Sequence, residues 1–105
     1  HIVYLGTGDV RHAVELIQYL TPVGPVDPPL ARNAVGAAHL GFVVDDLDSF
    51  CENLTKHGTK FLHPPILRPD AVYPWAQKVC FLHDPDGNLL ELIERSKAPK
   101  DTKVC

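Results

Sequence analysis

Two carboxylates and one imidazole are the side chains of this sequence best placed to do chemistry. Glu15 sits in Ala13-Val14-Glu15-Leu16-Ile17 and Glu91 in Leu89-Leu90-Glu91-Leu92-Ile93, nearly the same short word twice. Each follows a turn, Gly6-Thr7-Gly8-Asp9 before the first and Asp84-Pro85-Asp86-Gly87 before the second. A lone carboxylate in an apolar strand is costly to bury unless it is paired, neutralised or bound to a metal. Its recurrence points to an internal repeat built around a shared site. His39 stands in a third apolar stretch, residues 37–44. An imidazole with two carboxylates is a ligand set suited to a divalent metal such as Fe, Mn, Ni or Zn.

The elements that must position these three residues follow from periodicity. In a strand over residues 37–44 the pleat places Leu40, Phe42 and Val44 on one face and His39, Gly41 and Val43 on the other. Asp46 then serves as N-cap, and Leu47, Phe50, Cys51 and Leu54 recur at helical spacing, giving an amphipathic helix that Gly58 stops. If Leu90 and Leu92 cover that helix, Glu91 points to the opposite face and shares it with His39. The same alternation packs Val14 and Leu16 inward and sets Glu15, Ile17 and Tyr19 on one face. The three candidates are thereby expected to converge on a concave sheet surface. A single His or Glu in a strand is more often a packed or solvated residue than a ligand. It is their pairing at the two ends of one unit, with a second Glu in the repeat, that favours the metal reading.

Around these elements the chain divides into four parts. Residues 1–20 read as a β-hairpin. Residues 21–36 form a linker that holds Pro22, Pro25, Pro28 and Pro29 and has no secondary structure of its own. Residues 37–95 run strand, helix, strand, strand, strand, with short strands expected over 59–62, 76–82 and 88–94. Residues 96–105 form a polar tail. The expected fold class is α+β, a βαβββ module preceded by the closing hairpin of an incomplete first module.

The proline-rich loop from His63 to Trp75 is long for a compact domain, and such loops are more often functional than idle. It is expected to cap a pocket, with Tyr73 and Trp75 as substrate-binding residues favouring an apolar or planar ligand. Phe61 is a further candidate wall, though packing is the commoner role for all three. Of the remaining histidines, His57 suits the negative end of the helix dipole, His83 precedes a turn, and His63 opens the loop near the pocket. Asp84 and Asp86 are explained by turn geometry. The sequence holds no glycine-rich phosphate loop, Gly-x-Ser-x-Gly elbow or Cys-x-x-Cys.

Composition narrows the partners. A net charge of −3 gives no basic patch, which argues against nucleic acid. No apolar run approaches the ~20 residues that span a bilayer. Cys51, Cys80 and Cys105 cannot all pair and fit no zinc spacing, so they read as reduced thiols in a cytoplasmic protein. The chain starts at His1 and contains no Met, which reads as a processed chain, a fragment or the remainder of a longer one.

The stretch Gly36-Ala37-Ala38-His39-Leu40-Gly41-Phe42-Val43-Val44-Asp45-Asp46-Leu47-Asp48 resembles the opening of a module in the vicinal oxygen chelate superfamily. Those proteins include glyoxalase I, bleomycin-resistance proteins and extradiol dioxygenases. Phe81-Leu82-His83-Asp84-Pro85-Asp86-Gly87-Asn88-Leu89-Leu90-Glu91-Leu92 resembles a module's end, and Val14-Glu15-Leu16-Ile17-Gln18-Tyr19 the end of the preceding one. The resemblance covers residues 1–95. It implies paired βαβββ modules curled around a cavity, with a divalent metal held by a His or Gln from the first strand and a Glu from the last strand of each. Carried over, the ligands are Glu15, His39 and Glu91, and Glu15 or Glu91 is the catalytic base. The first strand, helix and next strand of module one are missing, so a homodimer or the rest of a longer chain must complete the site.

The resemblance thus implies a metal-dependent enzyme acting on a small oxygen-chelating substrate, by isomerase, lyase or dioxygenase chemistry. The rival is a metal-free binding protein that sequesters a small molecule, as bleomycin-resistance proteins do.

Overall fold

The structure, a computed structural model, describes residues 1–6, 8, 12–68 and 76–95. Tyr73, Trp75, Cys105 and the polar tail lie outside the described residues. Among the described residues the strands form two separate sheets. Strands β1 (Ile2–Gly6) and β2 (Ala13–Ile17) pair antiparallel as a hairpin. Strands β3 (His39–Val44), β4 (Ile66–Leu67), β5 (Ala76–His83) and β6 (Leu89–Arg95) form a four-stranded sheet in the order β3-β6-β5-β4, and helix α1 (Leu47–Lys56) follows β3. The order after the linker is β-α-β-β-β, the α+β architecture expected from the sequence. Among the described residues no helix is long and apolar enough to cross a membrane.

The helix begins where its cap is placed. Asp46 is extended, with φ −138° and ψ 101°, and its carboxylate accepts the Ser49 amide at 3.0 Å and the Ser49 hydroxyl at 2.9 Å. These bonds, the amide first, hold the Asp46 carboxyl below its ordinary pKa. The helix ends at His57, whose Nδ1–H donates to the Asn53 carbonyl at 2.8 Å, and at Gly58, which takes φ +88°. That left-handed conformation is the one glycine adopts without penalty at a helix C-terminus.

One face of the four-stranded sheet packs on this helix. Leu47, Cys51, Cys80, Leu82 and Leu92 form the buried core, with Phe42, Val44, Leu54, Phe61 and Leu90 against it. The period-two pattern therefore assigns β6 correctly, with Leu90 and Leu92 under the helix. Three expectations need correction. Leu40, expected on the helix-covered face, is 50% exposed, because β3 lies at the edge of the sheet. Phe50 is 40% exposed on the flank of the helix stripe. The strand expected over residues 59–62 reduces to a single bridge between Phe61 and Leu82, and the edge strand forms instead at Ile66–Leu67, just past Pro64 and Pro65. Prolines donate no amide to a ladder, so pairing resumes where they end. Phe61 joins the core and does not wall a pocket.

The hairpin also departs from the sequence reading. Leu16, expected inward, is half exposed, and Ile2, Val3 and Tyr4 are each more than half exposed. Two strands alone have no layer to bury a face against.

Cys51 and Cys80 are buried with their sulfurs 3.3 Å apart. Burial pushes both thiols up, Cys80 to about 12, so both stay protonated at neutral pH.

The turn between β5 and β6 is built by Asp84. Its carboxylate accepts the amides of Asp86 (3.0 Å) and Asn88 (2.7 Å) and the Asn88 side-chain amide (2.8 Å). Burial pushes this carboxyl up, but those hydrogen bonds outweigh it and leave the pKa below its ordinary 3.8. A depressed carboxyl contributes stability that is complete above 3.8 and is lost as pH falls through the lower folded value. Asp84→Ala is therefore expected to lower the thermal midpoint at neutral pH, with the gap from wild type closing at the acid end. A gap that stays constant across the titration would mean that ionisation of Asp84 does not support the turn.

Candidate functional site

The face of the sheet turned away from α1 carries His39 on β3 and Glu91 on β6. These strands are parallel neighbours, with Gly41 directly opposite Glu91 and His39 opposite Leu89. His39 and Glu91 are thus offset by one step of the pleat on the same face. Gly41 presents no side chain between them, and a Cβ there would press on Ile93 Cδ1 at 3.3 Å. His39 Nε2 reaches Glu91 Oε2 at 3.2 Å, and the two side chains are 45% and 16% exposed. On the other side of β6, Phe81 lies opposite Glu91. Its ring meets His39 edge-on at 5.8 Å between centroids and 72° between planes. The aromatic wall explains why the carboxylate is the more sheltered partner.

A metal would fit this pair. The two donors stand 3.2 Å apart, and an imidazole nitrogen with a carboxylate oxygen is a donor set that Fe, Mn, Ni and Zn accept. Among the described residues no group of three His, Cys, Asp or Glu gathers to hold a metal. The structure therefore brings His39 and Glu91 together and leaves Glu15 apart. Glu15 lies on the hairpin sheet and accepts a hydrogen bond from the Tyr4 hydroxyl at 3.1 Å.

Beside the pair opens a cavity of about 680 Å³, with His39, Phe81 and His83 on its sheet side and Pro29, Leu30 and Arg32 on the other. The expected cap was the loop from His63 to Trp75. The described wall comes instead from the linker, and residues 69–75 lie outside the described part. His63 stands near the cavity, its ring 5.8 Å from that of Phe81. Arg32 and Phe81 are site residues that the sequence reading does not mark. Nothing in the linker's pattern marks Arg32, whereas the alternation that put Glu91 on the open face also puts Phe81 there through its pairing.

The linker is seated at Gly87, which has φ +88° and lies so close to Pro29 that a Cβ would stand 2.9 Å from Pro29 Cγ. Gly87→Ala is expected to cost about 1–2 kcal/mol for the left-handed backbone alone, plus the displacement of Pro29. Gly58 has the same φ with nothing within 4 Å, so Gly58→Ala measures the backbone part by itself. Denaturant unfolding of both variants should show the larger loss at Gly87. Equal losses would mean that Pro29 yields freely.

The resemblance read from the sequence is matched by comparison with known proteins. The Uncharacterized protein YaeR of Escherichia coli K12 is 39% identical over 86 residues, which is 81% of this chain and 60% of that protein. A crystal structure of a glyoxalase family protein from Bacillus cereus superposes with a TM-score of 0.72 at 28% identity, covering 90% of this chain and 60% of the other. The chain thus spans about three fifths of the length of these two relatives. With the βαβββ order, and with residues 2–92 matching its family profile, the chain belongs to the Glyoxalase/Bleomycin resistance protein/Dioxygenase superfamily.

Proposed function

We propose that this chain is part of a divalent-metal-dependent enzyme of the glyoxalase or dioxygenase type, acting on a small oxygen-chelating substrate. The observation that carries the reading is the 3.2 Å approach of His39 Nε2 to Glu91 Oε2 beside a cavity. His39 and Glu91 would hold the metal, and Glu15 would be the corresponding ligand of the other half-site. A second copy in a homodimer, or the remainder of a longer chain, would bring that half-site in.

When bound, the metal supplies Lewis acidity toward two oxygens of the substrate, for isomerase, lyase or dioxygenase chemistry. The residues do the rest. Glu91, sheltered by Phe81, would be the base and take a proton on its carboxylate, a role Glu15 would fill in the opposite half-site. With no ion between them, His39 orients that carboxylate through its 3.2 Å contact. Tyr73 and Trp75 are proposed to contact the body of the substrate. The free cysteines Cys51 and Cys80 fit a reducing, cytoplasmic setting.

A second reading is favoured by the count of donors, since only two gather among the described residues. It is a metal-free protein that binds a small molecule in the cavity. Elemental analysis of the purified protein, with its mass in solution, separates the two. About one divalent ion per assembled site supports the enzyme. A folded protein that takes up no Ni, Mn, Fe or Zn on incubation is the binding protein.

A further inference from the structure

The cavity beside His39 has an unusual charge. Its lining includes Arg32, His39, His83 and Asn88 and, among the described residues, no Asp or Glu, although the chain as a whole carries a net charge of −3. The other lining side chains are apolar, among them Leu30, Leu62, Phe81 and Leu89. The Arg32 guanidinium carbon stands 4.4 Å above the centroid of the Phe81 ring. Among the described residues no carboxylate pairs with Arg32, and its contact with Phe81 is the interaction it makes. Among the described residues its N–H donors are therefore uncommitted, while the cation rests over an aromatic ring. His39 is already engaged by Glu91, and the Asn88 side-chain amide by Asp84.

We propose that Arg32 recognises a small organic monocarboxylate with an apolar body, admitted to the cavity between Phe81 and the linker. The guanidinium fork matches the planar carboxylate with two parallel hydrogen bonds. Arg32 is the one Lys or Arg among the described lining residues, so a monoanion matches its single charge, whereas a phosphate monoester carries about −1.5 to −2 near neutrality and exceeds it. The apolar residues cover the body of the ligand, which is how such pockets divide orientation from affinity. The cation–π contact with Phe81 holds Arg32 in place and lowers the entropy it loses on binding. The proposal adds the substrate's charge class to the reading of His39 and Glu91 as the reactive end of the same cavity.

Benzoate is a suitable probe, with benzamide as its neutral isostere and phenyl phosphate as the dianion. Binding is measured by calorimetry or NMR titration on the full chain in the presence of a chelator, so that no metal takes part. Wild type should bind benzoate at least tenfold more tightly than benzamide or phenyl phosphate. Arg32→Gln should lose at least tenfold in benzoate affinity, and Arg32→Lys should recover part of it. Arg32 is exposed, so both variants should keep the wild-type melting profile, and their uptake of Ni or Zn should equal that of wild type. Equal binding of benzoate and benzamide, undiminished binding by Arg32→Gln, or stronger binding of phenyl phosphate each overturns the proposal. Loss of metal uptake in His39→Ala alone tests the metal reading separately.

Discussion

His39→Ala and Glu91→Ala are each expected to reduce divalent-metal affinity by at least about 100-fold. Removing residues that merely hydrogen-bond a ligand already costs 10–100-fold, and these two would contact the ion itself. Neither substitution should unfold the chain. His39 is 45% exposed, both side chains lie on the face away from α1, and neither belongs to the buried core. Glu91→Gln is the sharper variant, because it keeps the shape and removes the charge that a cation requires. Metal titration followed by calorimetry, with circular dichroism on the same samples, gives the comparison. Equal affinity in wild type and Glu91→Gln would remove the pair from any metal site and leave a hydrogen bond between two strands.

Leu47→Ala should give the largest loss of stability of any single truncation in the module, about 2–5 kcal/mol. Leu47 is 0% exposed and sits among Cys51, Cys80, Leu82 and Leu92, where the first turn of α1 meets the sheet. Its amide donates to Glu94 Oε2 at 2.8 Å, so the same residue anchors the helix start to β6 through its backbone. Alanine keeps that hydrogen bond and deletes the side chain, which isolates the packing loss. A small domain holds about 5–15 kcal/mol in total, so urea unfolding should show a clear shift in midpoint at unchanged slope. A loss below about 1 kcal/mol would mean that the cluster collapses into the vacated space.

The parts of this fold that could be read in advance are those fixed by local chemistry. Asp46 as cap, Gly58 as stop and the Leu47-Cys51-Leu54 stripe define the helix without reference to anything distant. The turn Asp84-Pro85-Asp86-Gly87 and the alternation after it place Glu91 opposite the helix, and the same rule places His39. Tertiary choices were less legible. The edge strand moved to Ile66–Leu67 because Pro64 and Pro65 interrupt pairing, a shift that strand-forming residues at 59–62 do not announce. The meeting of Arg32 with Phe81 depends on how the linker folds back, with Pro29 against Gly87, and periodicity carries no information about that. Nor does it assemble Glu15 with the other two, since the hairpin pairs with itself as a separate sheet.

The parallel seam between β3 and β6 joins the first and last strands of the module, and the His39–Glu91 contact spans 52 residues. Every other element of the module lies in sequence between those two residues, so neither can find the other until the chain has returned on itself. Occupancy by a cation would act as a clasp on that return, adding RT ln(1 + [L]/Kd) to the stability of the closed form. Amide exchange along β3 and β6 should then slow together as metal is added, because opening the seam would require losing the ion.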